Sequence, residues 1–585
     1  MRFLYLLVIT LLFSSCSQED NRIIPSVQTF IKLSTATTGI TFNNEIQETQ
    51  TRNHFLWPSI YNGGGVGVCD INNDGLLDIM MTKTFGNDEL YLNKGGMQFE
   101  NISVKAGIQG NPNNVSSGIS FGDVNQDGYK DIYVSVFGSS DKPEDKLNRL
   151  YINNGDLTFT ESAAALGVQS GGFTIQSAFI DFDLDGDEDL YVMNQPSNVR
   201  TVKQRYKDEG EAKFTNPMTT DRLYRNDGGK YTDVSKAAGV EKFAYGLGIK
   251  VQDINIDGYP DIYIANDYDK PDFMYINNQK GGFVNMINDA VNHISNFSMG
   301  VDISDINNDG LVDIGVLDMA GANHYRSKTN MPSMSPKQFY KNVDDGLHYQ
   351  YMHNTLQLNN GNNTFSDIAY LAGMAKTDWS WSLVMGDFDN DANKDIYITN
   401  GIKKDIRNSD YLLKLKDRID NAGEKYSASP LEIIDLIPST PMSNYLYQND
   451  GSLHFTDKAN DWGLGDKGYS QGCAYGDLDN DGDLDLVVNN MSALASVYEN
   501  QVAGANNYLR IQLNSNKNKS ILNTKAYVHG TDGTVQYAEL APIKGIMSYS
   551  EDILHFGLSD AKVDKVEVIW PDGTFTTIKT PNVNK

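Results

Sequence analysis

Residues 70–78 read "DINNDGLLD", and the same arrangement returns six more times. The later copies are "DVNQDGYKD" from Asp123, "DFDLDGDED" from Asp181, "DINIDGYPD" from Asp253, "DINNDGLVD" from Asp305, "DFDNDANKD" from Asp387 and "DLDNDGDLD" from Asp477. Positions 1, 5 and 9 are Asp in every copy, and position 3 is Asp or Asn. Crowded oxygen ligands turned back at a glycine suit a hard cation of calcium type, and the absence of Cys and His from the loops argues against softer metals. An EF-hand would need an acidic residue at position 12, where all seven copies are apolar (Met81, Val134, Val192, Ile264, Val316, Ile398 and Val488). The residues after position 9, such as "DIYVSV" and "DLYVMN", are β-branched and aromatic, so each loop is expected to join two strands.

The expected ligands follow from positions 1, 3, 5 and 9. They are Asp70, Asn72, Asp74 and Asp78 in loop one and Asp123, Asn125, Asp127 and Asp131 in loop two. Loop three has Asp181, Asp183, Asp185 and Asp189, and loop four has Asp253, Asn255, Asp257 and Asp261. Loop five has Asp305, Asn307, Asp309 and Asp313, loop six has Asp387, Asp389, Asp391 and Asp395, and loop seven has Asp477, Asp479, Asp481 and Asp485. Up to seven Ca2+ ions are expected. Loop six alone has Ala392 in place of glycine, which should cost roughly 1 kcal/mol of backbone strain.

A second motif alternates with the first: "LYLNKGGMQFENIS", "LYINNGDLTFTES", "LYRNDGGKYTDVS" and their later copies read as strand, Asn/Gly turn, strand. Each unit therefore holds four strands. Seven such units predict an all-β fold, a seven-bladed β-propeller with calcium loops, plus a small C-terminal β domain. The last copy, "VYENQ", stops after one strand, and residues 28–35 are expected to supply its missing partner. The domain boundaries expected are 1–16 for a signal peptide, 17–27 for a polar tether, 28–500 for the repeats and 501–585 for the terminal domain.

The "DxDxDGxxD" loops resemble those of the FG-GAP/VCBS repeat family, which includes the propeller of integrin α-subunits. The tail, with "NNYLRIQL" at 506–513, "HFGL" at 555–558 and "VEVIWPDG" at 566–573, resembles the ASPIC/UnbV domain. Together they give an architecture similar to that of the cartilage acidic protein family. The resemblance implies calcium in the loops and no particular chemistry. "MRFLYLLVITLLFSSC" resembles a bacterial lipoprotein signal peptide with Cys16 as the acylated residue. That places the chain in the cell envelope as an outer-membrane lipoprotein, with its surface exposure suggested by the acidic residues after Cys16, and with the lipid anchor as its one membrane contact.

The 585 residues carry a formal charge of −28, which argues against nucleic-acid binding. Twenty-four aspartates at loop positions 1, 3, 5 and 9 supply most of it. Cys69 and Cys473 stand at different heights before their loops and are read as core residues without a disulfide. Length variation concentrates in the connections after the second strand of units three, five and six, roughly 194–222, 319–355 and 400–445. These insertions are net +4. Long loops on a regular scaffold are where function is expected.

The unit-five insertion is rich in Tyr, His and Arg, so Arg326, His324, Tyr325 and His348 are the candidate ligand-binding residues, suited to stacking on sugars or clasping carboxylates. His324, His348 and His353 share that insertion at a spacing too irregular for a zinc motif. In the unit-six insertion, Ser429, Pro430 and Glu432 signal a helix start, and Leu412, Leu415 and Ile419 form a stripe expected to pack inward. No nucleophile elbow, P-loop or dinucleotide fingerprint is present, and catalytic residues are not assigned. The function expected is a calcium-binding envelope lipoprotein that captures a glycan or protein partner. The alternatives are a polysaccharide-active enzyme using the insertion face, or an accessory subunit of an outer-membrane complex.

Overall fold

A computed structural model describes residues 28–138, 146–196, 217–268, 270–330, 335–422, 429–515 and 519–584. Cys16 and the rest of 1–27 lie outside these residues, as does most of the unit-three insertion.

Seven antiparallel sheets share one four-stranded plan. In the second sheet the strands are Val115–Gly122, Asp131–Phe137, Arg149–Asn153 and Phe159–Glu161. The first two flank an acidic loop, and their register runs from Gly122 opposite Asp131 to Val115 opposite Phe137. In the seventh sheet the fourth strand is Phe30–Lys32, antiparallel to Ser496–Asn500, with Phe30 opposite Asn500. The second strands are buried on both faces. Tyr133, Tyr191, Tyr263 and Tyr397 are at most 2% exposed, and each of these hydroxyls is bonded, to Val168 O, Asp221, Asp272 and Asn444 respectively. Each large ring therefore buries apolar area without orphaning its polar tip. Asparagines that end the third strands tie sheet to sheet: Asn153 Nδ2 donates to Ile71 O, Asn226 to Val124 O, Asn277 to Phe182 O, Asn449 to Ile306 O, Asn500 to Phe388 O and Asn93 to Leu478 O.

The all-β, seven-bladed propeller expected from the sequence is corrected. Nine α-helices lie among the described residues, so the fold is mixed α/β, built on four-stranded antiparallel sheets, and no closed propeller barrel is identified. Five of the helices are single turns: Thr35–Thr38, Ser103–Ala106, Ala163–Leu166, Ser235–Ala238 and Ile287–Ala290. Four of them stop at a glycine with φ near +80° (Gly39, Gly107, Gly167 and Gly239), where a left-handed residue closes the helix. A four-residue helix is too short to show a 3.6-residue period, so alternating hydrophobicity concealed it. The other four stand in insertions: His324–Thr329, Pro336–Asp344, Ser409–Ala422 and Pro430–Asp435. Pro430–Asp435 starts with the Ser429–Glu432 capping box read from the sequence. Of the stripe on Ser409–Ala422 only Leu415 packs inward, against the cluster of Tyr411, Ile434 and Ile437, whereas Leu412 and Ile419 are 52% and 44% exposed. Among the described residues no helix is long and apolar enough to cross a membrane.

The terminal residues form a four-stranded sheet (Val535–Glu539, Lys525–Gly530, Val563–Ile569, Phe575–Lys579) and a pair, Asn507–Ile511 with Leu554–Ser559. From it a segment around 543–550 enters the repeat region. It bonds the first strand of every one of the seven sheets, through Val66, Ile119, Gln176, Lys250, Val301, Ser382 and Tyr475. The buried Lys250 ammonium donates to Ala541 O and Ile543 O and lies 2.9 Å from Asp302, which Lys544 also contacts. Cys69 and Cys473 are buried free thiols.

Candidate functional site

The acidic loops repeat one geometry. Position 4 is left-handed in all seven (Asn73, Gln126, Leu184, Ile256, Asn308, Asn390, Asn480), and so is position 6, including Ala392 at φ +81°. The position-1 carboxylate accepts the amides of positions 5 and 6 in most loops, as Asp305 does from Asp309 and Gly310 at 3.2 and 2.9 Å. The position-9 carboxylate bridges loop and sheet. One oxygen accepts the position-2 amide, the other the amide of the third-strand Asn, as in Asp313 with Ile306 and Asn359 at 3.1 and 2.8 Å. Each oxygen keeps a further lone pair for a cation.

The loops divide by position 3. Where it is Asn, its amide donates to the position-5 carboxylate: Asn72 to Asp74, Asn125 to Asp127, Asn255 to Asp257 and Asn307 to Asp309, at 2.8–3.0 Å. Where it is Asp, that neutralising contact is missing and three carboxylates crowd within 4.8 Å: Asp181, Asp183 and Asp189; Asp387, Asp389 and Asp395; Asp477, Asp479 and Asp485. Asp181 and Asp389 each hold a buried oxygen with no hydrogen-bond partner. Burial, then the neighbouring carboxylates, pushes Asp181 up to about 7. Asp387 is also pushed to about 7, by burial first and despite Lys394, and Asp389 to about 6. Burial raises position 9 as well, Asp78 to about 7, Asp131 to about 8 and Asp189 to about 9. Orphaned carboxylate oxygens in an all-oxygen cluster fit a divalent ion.

The terminal domain touches at least five of these loops, the second, third, fourth, sixth and seventh, and in two of them a cation meets the position-1 carboxylate. Lys525 Nζ is 2.9 Å from Asp253, and an Arg510 guanidinium nitrogen is 2.9 Å from Asp477. Nothing in the tail's sequence pattern marked these two cations.

The candidate ligand residues sit at the opposite end of the strands and are not one group. His324 and Tyr325 open the helix His324–Thr329, with Tyr325 68% exposed. Arg326, next to them, points inward. Its Nε and one guanidinium nitrogen donate to Asp378 at 2.9 and 2.6 Å, and the other to Asp405 at 3.0 Å. Burial alone would lower its pKa, and the two carboxylates more than offset that. His348 is half-buried at φ +55°; burial, outweighing a bond to the Val291 backbone, lowers its pKa.

Between the two insertions lies a cleft of about 670 Å³. Tyr325, Arg326, Asp410, Lys414, Tyr445, Asp457, Asn460 and Lys467 are among its walls. Of the residues singled out from the sequence, Tyr325 and Arg326 line this cleft, whereas Asp410, Lys414 and Tyr445 across it come from the unit-six insertion and sheet six.

Residues 70–134, 253–316, 346–398 and 432–488 match the FG-GAP-like repeat, and residues 514–585 match the ASPIC and UnbV domain. The chain thus carries FG-GAP-like repeats followed by an ASPIC/UnbV domain. It is a distant relative of cartilage acidic protein 1: the Mus musculus protein is 24% identical over 87% of this chain and 70% of its own length, and the Homo sapiens protein is 24% identical over 87% and 69%. Integrin alpha-8 of Mus musculus is 33% identical over 22% of this chain and 13% of its own. Among solved structures, an Agrocybe aegerita lectin specific for non-reducing terminal N-acetylglucosamine aligns at a TM-score of 0.36 and 15% identity, covering 73% of this chain and 88% of the lectin. Likeness at that level carries no functional argument.

Proposed function

We propose that this chain is a calcium-binding lipoprotein of the cell envelope, anchored through Cys16 in the outer membrane, whose insertion cleft binds a glycan. The observation that carries the reading is the cleft itself. An exposed tyrosine and a second ring, Tyr445, stand with Asp410, Asp457, Asn460, Lys414 and Lys467 around a volume of sugar-ligand size. Aromatic faces stack on sugar C–H surfaces, and the carboxylates, amide and ammonium groups pair with hydroxyls. Up to seven calcium ions hold the acidic loops in shape at the other end of the sheets, with affinities of the ~10⁻⁴–10⁻³ M typical of extracellular modules. The net charge of −28 disfavours nucleic acid as a partner.

The test is a glycan array probed with the mature chain. A defined glycan class is expected to bind, and Tyr325→Ala is expected to abolish binding with the melting temperature unchanged. No binding to any glycan, or binding indifferent to Tyr325→Ala and Asp457→Asn, overturns the cleft as a sugar site.

A further inference from the structure

The third residue of six of the seven outer strands does the same small job. Asn101, Glu161, Asp233, Asn285 and Asp457 each accept, through one side-chain oxygen, a backbone amide two residues on. Asp367 does this too: its Oδ1 accepts from Ala369 and Leu356. Its Oδ2 is surplus to that job and faces two histidines. His293 Nε2 lies 3.0 Å away and His353 Nδ1 3.9 Å away.

We propose that His293, His353 and Asp367 form a site for a divalent transition metal of the zinc class, separate from the acidic loops. The donor atoms lie within 4.8 Å of one another, and this is the one such group with histidine among the described residues. Donors on one tetrahedral ion, at about 2.0–2.1 Å from it, stand a little over 3 Å apart, so the spacing needs only a small contraction. Two imidazoles and one carboxylate select Zn2+, Co2+ or Ni2+ over Ca2+, which takes six to eight oxygens.

The three ligands come from three segments that other bonds already hold together. Ile294–Ser295 pairs in parallel with Gln350–Tyr351. Ser295 Oγ donates to His353 O at 2.9 Å, and Gln357 Nε2 to His293 O at 3.0 Å. His353 is walled by Tyr351 and by Tyr370, whose ring centroid lies 5.0 Å from its own. His353 Nδ1 also lies 2.6 Å from Asn354 O, a contact that an ion bound at Nδ1 displaces. Three protein ligands leave at least one coordination position open. The metal would pin the returning end of the unit-five insertion to the connection that leaves sheet four. This inference stands whether or not the cleft binds sugar.

The experiment is a Co2+ titration of the mature chain in millimolar calcium, followed by visible d–d absorption. Nitrogen-ligated, low-coordinate Co2+ absorbs strongly, whereas an all-oxygen octahedral loop site does not. One equivalent is expected to build the band, and excess Zn2+ to bleach it. His353→Ala and, as the more exposed and milder change, His293→Gln are each expected to weaken binding at least about tenfold, whereas Asp389→Asn in loop six leaves the band intact. No strong band in the wild-type chain overturns the proposal. So does a band that survives both His293→Gln and His353→Ala, and so does one lost in Asp389→Asn.

Discussion

Loop five and loop six occupy equivalent places in neighbouring sheets, and position 3 is Asn in one and Asp in the other. In loop five, Asn307 donates to Asp309, while burial still raises Asp305 to about 6 and Asp313 to about 7. In loop six, Asp389 stands there instead, with one oxygen buried and unpartnered, and Ala392 adds a strained turn at φ +81°. One amide in place of one carboxylate thus removes one like charge from the cluster and supplies a donor to its neighbour. Loops three and seven side with loop six. In loop seven Arg510 of the terminal domain supplies part of the missing positive charge.

The largest expected effect is on pH dependence, to which raised carboxylates of both kinds of loop contribute. Carboxylates at about 7, such as Asp181, Asp387 and Asp313, are raised above the ~3.9 of an unfolded Asp, so the folded state holds their protons more tightly. Their contribution is therefore fully present below about pH 4 and is lost as pH rises through about 7. Without divalent ions the melting temperature should fall between pH 5 and pH 8, by about 5–10 °C. Calcium should remove that slope by taking the place of the protons. A metal-free protein more stable at pH 8 than at pH 5 would show that the burial of these carboxylates does not govern stability.

Asp389→Asn should make loop six resemble loop five. Metal-free stability is expected to rise by about 1 kcal/mol as the orphaned charge is removed, while one calcium site weakens. Denaturant melts with and without calcium measure both, and a loss of metal-free stability would break the comparison. The smallest effect is that of Ala392→Gly, expected to gain up to about 1 kcal/mol by relieving the left-handed alanine.

What the sequence reveals follows the same divide. Position 6 glycines, position 9 aspartates and the strands beside them repeat at fixed spacing, so the loops and their four-stranded sheets could be read directly. The single-turn helices were hidden by their length. The segment around 543–550 gave no signal, because "IKGIMSYS" reads like any short apolar strand, and its seven contacts are all distant in sequence. Arg326 was read from the sequence as a ligand-binding residue, and in the structure it is spent on two buried carboxylates. Its partners Asp378 and Asp405 lie 52 and 79 residues away, so neither its burial nor its pairing was visible. His293 and Asp367, 74 residues apart, were missed for the same reason. Leu412 and Ile419 had helical spacing but stay 52% and 44% exposed among the described residues.

The most direct measurement of the central claim is a melting curve of the mature chain at pH 7.5, first stripped with a chelator and then with calcium titrated back. If the acidic loops are ion sites that the folded chain depends on, the midpoint rises by several degrees and saturates in the sub-millimolar to millimolar range. Curves that superimpose with chelator and with calcium would contradict the account, because the buried carboxylates would then be stable without the charge they are arranged to hold.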